Sequence, residues 1–541
     1  MKKFKDPIYG YIEIDNDIVE KIIDTSEFQR LRYIRQTSYL PVYPAALHNR
    51  FVHSLGVYFL GCQALESINR SIEDFKINIT EEKIKRAGQI FTLACLLHDV
   101  GHAPFSHSGE NFYLSEENNL YNTLIESVDD DTFKNEVSEY HYLREPAAPH
   151  EIMSAIVGLK RFSHLFSSNE EKSLFSRCIT GYKFKNENND LNLSYYNILI
   201  SLLNSSAIDV DRLDYLIRDA FVMGYNSISI DYKRLIDSVM AYEDSKGHLN
   251  LAFNKSALSI IENVIYAHDS ERKWVQNHPI IIYETFLVQQ IIKDVASFYK
   301  TKTEKELFSY DSLIPTKNEN SEESNYDAYP SVSLLCDDDI IFFAKVLNNS
   351  FCRELFDRNL RRHPIWKSES EYKVLVDYYV GKEGYNDLVF QMEILDKFLR
   401  EESPSHLIDN KSLDYCKKQL DECKNSDLDN RNKDNMIQRY TLLENWLKCF
   451  EKISAEQNID FNFIFVQASN FSSSFAKEDL KEFQIFFPNH HCAYKLNDLI
   501  ELFSVNKISR KKFFYVYYFK NPDSKPDVKA IGKEIAKTIL N

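Results

Sequence analysis

Three histidines and two carboxylates fall within fifteen residues, LLHDVGHAPFSHSGE, from Leu96 to Glu110. The apolar run FTLACLL ends directly on His98 and Asp99, side by side. Adjacent residues on a helix point about 100° apart. Both can therefore reach one ion only near a helix end that faces a cleft, and Gly101 offers the helix its stop. Imidazole nitrogen with carboxylate oxygen suits a borderline or hard divalent ion such as Fe, Mn, Zn or Mg. An isolated His-Asp pair serves equally well as the cap of a buried helix, so the context has to decide. Upstream, HNRFVHSLGV (His48 to Val57) places His53 on an amphipathic helix. Downstream, in IDVDRLDYLIRD, Asp211, Tyr215 and Asp219 recur every four residues and share one helical face. Polar residues embedded in an otherwise apolar helix need buried partners. A cation held by His53, His98, Asp99 and Asp211 supplies one.

The elements that must position these residues are mostly helical. Phe51, Leu55, Phe59 and Cys62 step along one face of a helix, and Gln89 to Leu97 is apolar nearly all round, as expected of a central helix. A further helix is expected over Leu202 to Asp219. Thr301 to Tyr329 turns acidic and polar and reads as a mobile loop. Helical patterning resumes from Asp337 to about Leu399, and KNSDLDNRNKDN (Lys424 to Asn435) makes a second polar break. The tail changes character: FNFIFVQAS, FQIFF and KFFYVYYF are aromatic and β-branched, as strands are, and Pro526 opens a final helix. The fold class expected is mainly α: a helical core over residues 1–300, a helical extension with mobile acidic loops over 301–455, and a small α+β module over 456–541. NHHC (Asn489 to Cys492) holds two neighbouring histidines, but without further ligands it reads as a turn.

Bulk composition narrows the function classes. With 541 residues, 44% hydrophobic and 13% aromatic, the chain can bury far more than one small core. Thirteen glycines among many Leu, Ile, Lys and Glu favour helices over a doubly wound sheet. A net charge of −16 argues against general coating of nucleic acid, although a local basic pocket is compatible with it. Nine scattered cysteines, odd in number and without a C-x-x-C pair, read as buried small hydrophobes or free thiols in a reducing cytosol. Asp6 and Pro7 interrupt any signal region in MKKFKDPIYG, and no run approaches the roughly 18 apolar residues of a membrane span. These features lead to the expectation of a cytoplasmic protein without a membrane partner.

The order H…HD…D resembles the HD phosphohydrolase superfamily. The longer strings HNRFVHSLGV, HDVGHAPFSHSGE and DVDRLDY are similar to the deoxynucleoside triphosphate triphosphohydrolases, a group with bacterial dGTPases and the vertebrate sterile-alpha-motif HD-domain enzyme. DPIYGYIEI, DTSEFQRLRYIRQ and DYKRL extend the likeness over roughly residues 4 to 300; beyond 300 it is faint, and the sterile-alpha-motif domain is absent. The resemblance implies an HD-domain helical core with one divalent metal per active site. It also implies hydrolysis of a dNTP to deoxynucleoside and tripolyphosphate by attack at the α-phosphorus, which would lower dNTP pools in nucleotide homeostasis or antiviral defence.

The resemblance also carries roles residue by residue. His102 and His107 lie just beyond the ligand pair. His107 and Glu110, spaced i to i+3, match the bacterial H-x-x-E dyad, in which the carboxylate orients and charges the imidazole; a plain helix-cap role competes for Glu110. His150 matches a further active-site histidine, a donor to the α-phosphate, against a simple place at a helix N-terminus. Arg50 and Arg212 have the fork geometry that clamps phosphate. Tyr215 and Asp219 match residues lining the sugar and phosphate pocket, Gln36 matches one that contacts the 3′-hydroxyl, and Gln276 is retained. Thr37 stands where the vertebrate enzyme has a bulkier apolar residue. In Asn263 to His278 an aligned arginine and a sugar-stacking tyrosine are missing, leaving Arg272 or Lys273 as substitutes. Asp24, Gln29 and Arg32 fall where relatives bind an activating nucleotide between subunits, with Arg234 contributed by a neighbour; a surface salt-bridge set is the competing reading. A homo-oligomer, tetramer or hexamer, would follow. Two other functions stay open: hydrolysis of another phosphoester (nucleoside monophosphate, cyclic nucleotide or oligonucleotide), and non-catalytic nucleotide sensing.

Overall fold

The computed structural model describes the whole chain except residues 39, 115–118, 144–146, 187–188, 206–207, 226–228, 316–330, 382–383, 427–429, 470–482, 500–511, 521–524 and 541. The expectation for Thr301 to Tyr329 falls about half on 316–330, and that for Lys424 to Asn435 partly on 427–429, outside the described residues; in the described half, a helix runs on to Thr303 and Tyr310–Leu313 forms a short one. The fold is mainly α, with three small sheets among the described residues. Among the described residues, no helix is long and apolar enough to cross a membrane.

Two compact units interleave along the chain. The first comprises Met1–Glu271, Val288–Asn349 and Ser473–Asn506; the second comprises Arg272–Leu287, Ser350–Ser472 and Lys507–Asn541. The first unit opens with an antiparallel hairpin, Lys2–Asp6 with Gly10–Ile14, whose ends pair Asp6 with Gly10. Gly10 takes φ +84°, a left-handed value that a side chain disfavours. Asp6 closes the turn by accepting from the backbone N–H groups of Ile8 and Tyr9 at 2.8 and 3.0 Å.

The Arg50–Asp74 helix, capped by Asn49, is buried on nearly every side through Gly61. The sequence pattern of one apolar face is thus too narrow: Phe51 and Leu55 are buried, but Phe59 and Cys62 are only partly so, while His53, Ser54 and Gly56 are enclosed as well. Small residues allow this. A Cβ on Gly61 would lie 2.6 Å from the Sγ of Cys95, on the Glu81–Leu97 helix. That second helix is buried at nearly every position beyond Gln89, as its composition indicates. It ends at Leu97, with His98 as its C-cap, so Gly101 is not its stop. Gly101 is required for another reason: a Cβ there would lie 2.4 Å from the backbone nitrogen of Ser154.

The helix expected over Leu202 to Asp219 is two helices, Leu191–Leu203 and Val210–Met223. The break belongs to Asp209, whose carboxylate accepts from the backbone N–H of Arg212 at 2.7 Å and of Ser205 at 3.1 Å. An N-cap residue is non-helical by construction. Asp209→Ala is expected to destabilise the first unit by about 1–2 kcal/mol, read as a lower urea midpoint at unchanged slope.

The first unit also holds a four-stranded sheet that helical periodicity hid, Val239–Glu243, Leu249–Asn254, Gln484–Phe487 and Cys492–Lys495 in that order. FQIFF supplies its third strand, pairing in parallel with Leu249–Asn254. NHHC is the turn into the fourth, with His491 at φ +45°. The second unit carries another sheet, in which Lys512–Phe519 lies between Arg362–Pro364 and Asn462–Ser469, with Ile408–Asp409 at the edge. Trp366 and Trp446 are fully buried in this unit and donate to the Phe514 carbonyl and the Gln391 side chain. The final helix, Val528–Leu540, starts two residues after Pro526, with Asp527 accepting from the Lys529 and Ala530 N–H groups. The strands expected in the tail therefore form, but they divide between two sheets in different units.

Candidate active site

His53 comes from the Arg50–Asp74 helix, His98 and Asp99 from the end of Glu81–Leu97, and Asp211 from the first turn of Val210–Met223. Their side chains converge. His53 Nε2 lies 2.9 Å from Asp211 Oδ1 and 3.7 Å from Asp99 Oδ2. His98 Nε2 lies 3.5 Å from Asp99 Oδ1 and 3.6 Å from Asp211 Oδ1. The other ring nitrogens are committed: His53 Nδ1 donates to Asp214 Oδ2 at 2.7 Å, and His98 Nδ1 to the Cys95 carbonyl at 2.9 Å. Each neutral ring must then present its Nε2 lone pair to the centre, and the two Nε2 atoms are 3.3 Å apart. Facing lone pairs beside two carboxylates fit a divalent cation. The same demand for positive charge shows in the electrostatics. Burial opposes a charged His53, but hydrogen bonds to Asp211 and Asp214 outweigh it and raise its pKa to about 10. Burial likewise opposes a charged Asp99, yet Arg50 and the two histidines hold it below the usual carboxylate range.

Beside this set stands a second group, His102, His107 and His150, whose ring nitrogens also come within 4.8 Å of one another. His102 stacks on His150 with centroids 4.4 Å apart, and His107 meets both rings edge-on. Glu110 binds two of them: His150 Nδ1 donates to Oε2 in a short contact, and His107 Nδ1 lies 3.3 Å from Oε1. The carboxylate expected to serve His107 thus has His150 as its nearer partner. Burial works against charge on Glu110, but hydrogen bonds to His107 and His150 hold it well below the usual range. The reciprocal effect raises His150 despite its burial. His102 is driven the other way, kept neutral by burial and then by Arg50. Neither of its ring nitrogens has a hydrogen-bond partner.

His150 lies in the first turn of the Pro149–Arg161 helix, and the loop carrying His102 and His107 is strained at Phe105 and Ser106, both left-handed at φ +58° and +55°. Three contacts hold it. Phe105 N–H donates to Asp337 Oδ1 at 2.7 Å, Arg50 Nε donates to Ser106 Oγ at 2.9 Å, and Ser106 Oγ donates to the Arg35 carbonyl. Asp337 also accepts from the Arg35 N–H at 3.1 Å, tying this loop to the one that carries Gln36.

Arg50 Nη1 donates to Asp99 at 2.8 Å, while its Nη2 is buried without a partner. Gln36 is buried, its backbone N–H on the His48 carbonyl and its Oε1 unpartnered. Arg212 and Tyr215 interact with each other, and burial raises the Tyr215 hydroxyl well above the ordinary value. Asp219 accepts from His48 Nε2 at 2.7 Å. Gln276 lies on the π-helical turn Arg272–Gln276, which belongs to the second unit.

The four residues expected to take an activator make local contacts. Asp24 pairs with Lys2 at 3.5 Å, Gln29 Nε2 donates to the Ile23 carbonyl, and Arg32 Nε donates to Gln29 Oε1 while stacking on Phe51. Arg234 Nη2 donates to the Ser256 carbonyl at 2.7 Å and lines a cavity of about 460 Å³ with Asp231, Lys233 and Asn254.

Sequence reading missed His48 and Asp214. Asp214 sits three residues after Asp211, a spacing that would have placed both on one helical side. Gly56 leaves room for it: a Cβ there would lie 1.9 Å from Asp214 Oδ1. Gly56→Ala is expected to cost about 1–3 kcal/mol by overpacking and to lower the calorimetric melting temperature.

The HD domain family matches residues 50–180. An uncharacterised protein of Methanocaldococcus jannaschii is 29% identical over 298 residues, 54% of this chain and 50% of its own length. The deoxynucleoside triphosphate triphosphohydrolase SAMHD1 of Gallus gallus is 33% identical over 241 residues, 44% of this chain and 36% of its own. The chain spans about half the length, or less, of these curated relatives. The crystal structure of a hypothetical protein from Aquifex aeolicus aligns over 99% of both chains with a TM-score of 0.53 at 18% identity, a likeness of fold.

Proposed function

With an HD domain at residues 50–180 as its centre, we propose that this protein is a metal-dependent phosphohydrolase that converts deoxynucleoside triphosphates to deoxynucleoside and tripolyphosphate. The observation that carries the reading is the convergence of His53, His98, Asp99 and Asp211, with two imidazole lone pairs facing each other, beside the His102/His107/His150/Glu110 group. The substrate class draws on the likeness to the SAMHD1 relative, whose name states that activity. Lowering dNTP pools, in nucleotide homeostasis or antiviral defence, would be the consequence.

His53, His98, Asp99 and Asp211 would hold one Mn, Fe, Mg or Zn ion. Bound there, such an ion supplies Lewis-acid neutralisation of the charge that builds at the phosphorus under attack. The chain's own groups do the rest. The unpartnered Arg50 Nη2 and the neutral His102 ring are donors available to phosphate oxygens without breaking an existing bond. Glu110 raises the His150 pKa against the effect of burial, favouring the protonated ring as hydrogen-bond donor to the α-phosphate, while His107, the more exposed partner, exchanges protons with the attacking water or the leaving 5′-oxygen. Arg212 and Tyr215 line the phosphate side; Gln36 and Asp219, the latter held by His48, line the sugar side, with Gln276 assigned to substrate by resemblance. Asp24, Gln29, Arg32 and Arg234 are assigned to an activating nucleotide in a cytoplasmic tetramer or hexamer.

One observation favours a second reading. Glu271, 1% exposed, acts electrostatically on Tyr215, so a buried carboxylate neighbours a residue assigned to the phosphate side. Hydrolysis of a less charged phosphoester is the alternative. Incubation with each dNTP and NTP plus Mn(II) or Mg(II), followed by phosphorus NMR of the products, separates the two. Tripolyphosphate from at least one dNTP supports the first reading; orthophosphate from a monoester, with every dNTP inert, overturns it for the second.

A further inference from the structure

His53 is fixed in place by residues far from it in sequence. Its Nδ1 donates to Asp214 Oδ2 at 2.7 Å, and Asp214 is itself held by three further hydrogen bonds. Arg218 Nε donates to the same Oδ2 at 2.9 Å, Arg218 Nη2 to Oδ1 at 2.9 Å, and the Tyr9 hydroxyl to Oδ1 at 2.7 Å. Arg218 is anchored from behind, Nη1 donating to Asp6 Oδ2 at 2.9 Å. The other oxygen of Asp6 holds the hairpin turn together. All five side chains are buried. Two carboxylates face one guanidinium, so the set is balanced only by positive charge on its His53 side, whether a second proton on that ring or a cation bound beyond it. Burying such a set costs more than burying apolar residues of the same size, so its presence calls for a role besides packing.

We infer that Asp6, Tyr9 and Arg218, acting through Asp214, are positioning residues of the metal centre: they force His53 to carry its proton on Nδ1 and to aim Nε2 at Asp211 and His98. The inference rests on the metal reading above and extends the centre to the N-terminal turn. Outer partners of ligating histidines typically alter metal affinity about 10–100-fold.

The test uses full-length protein stripped with chelator and reloaded with Co(II), in wild type, Asp6→Asn, Tyr9→Phe and Glu13→Gln, the last an exposed control on the same hairpin. Co(II) affinity is measured by chelator competition, ligand geometry by the visible absorption band, and folding by the melting temperature of the metal-free protein. Asp6→Asn and Tyr9→Phe are expected to bind Co(II) about 10–100-fold more weakly with an altered band, while Glu13→Gln binds as wild type. The metal-free melting temperature of Tyr9→Phe should stay within a few degrees of wild type. Should Asp6→Asn fail to fold, Tyr9→Phe, which removes one oxygen atom, decides. Wild-type affinity and spectrum in Tyr9→Phe, or weakening equal to that of Glu13→Gln, overturns the inference. Wild-type protein that takes up no Co(II) overturns the metal reading itself.

Discussion

Asp211→Asn should lose its metal on dialysis and turn over substrate on the order of 10³-fold more slowly, the scale of several kcal/mol of charge stabilisation at the transition state. Asn matches Asp in shape, so the Val210–Met223 helix has no steric reason to change. What disappears is the charge between the two imidazoles, 2.9 Å from His53 Nε2 and 3.6 Å from His98 Nε2. An amide oxygen remains a possible ligand but a weak one, and its NH₂ group in the other orientation would point a donor at the site. Elemental analysis of the dialysed variant gives the metal content, and circular dichroism confirms the fold. Full metal occupancy with wild-type turnover would remove Asp211 from the centre.

Glu110→Ala should keep its metal and lose about 10²-fold or more in turnover, the usual scale for a positioned acid-base group; His107→Ala should lose less. Glu110 binds both His107 and His150, whereas removing His107 leaves the Glu110–His150 pair intact. The pH profile separates orientation from charge. Because Glu110 raises the pKa of His150, charged His150 is present at low pH and disappears as pH rises through that raised value. In Glu110→Gln the support is gone, so the alkaline fall in rate should move to lower pH, toward the ordinary histidine value of about 6.5. Equal losses in Glu110→Ala and His107→Ala, or an unmoved alkaline limb in Glu110→Gln, would show that the carboxylate acts through shape alone.

How much of this the sequence exposes depends on the range of the interaction. The helices around His53 and His98 are legible because their burial is written in local apolar residues, and the four candidate metal-binding residues are legible because few arrangements of His and Asp recur in that order. The helix through Leu202–Asp219 looks continuous, since its apolar positions keep phase across the gap; the break is made by side chains at its two edges, Asn204 bonded to Glu151 and the Ile179 carbonyl, and Asp209 turned back onto the Ser205 and Arg212 backbone. Asp214 is masked by its neighbours, one carboxylate in a string of four. His48 is missed because its partner Asp219 lies a hundred and more residues away. Gly101 is misread as a helix stop because a glycine's local meaning is a turn, while its actual constraint, the backbone at Met153 and Ser154, is tertiary. The strands Val239–Glu243 and Leu249–Asn254 stay hidden because each is short and the third strand of their sheet comes from Gln484–Phe487.

That last pairing also sets an order of events during synthesis. The ribosome delivers the helices bearing His53, His98 and Asp211 early, but Leu249–Asn254 has an open parallel edge until Gln484–Phe487 emerges. An unpaired edge is a template for wrong partners, and long-range parallel pairing forms slowly. The first unit can therefore complete this sheet only after most of the second unit has been translated, long after the candidate metal-binding residues His53, His98, Asp99 and Asp211 have been made. Early metal capture would stabilise the waiting intermediate by mass action, making cofactor supply a determinant of how much chain survives its own synthesis.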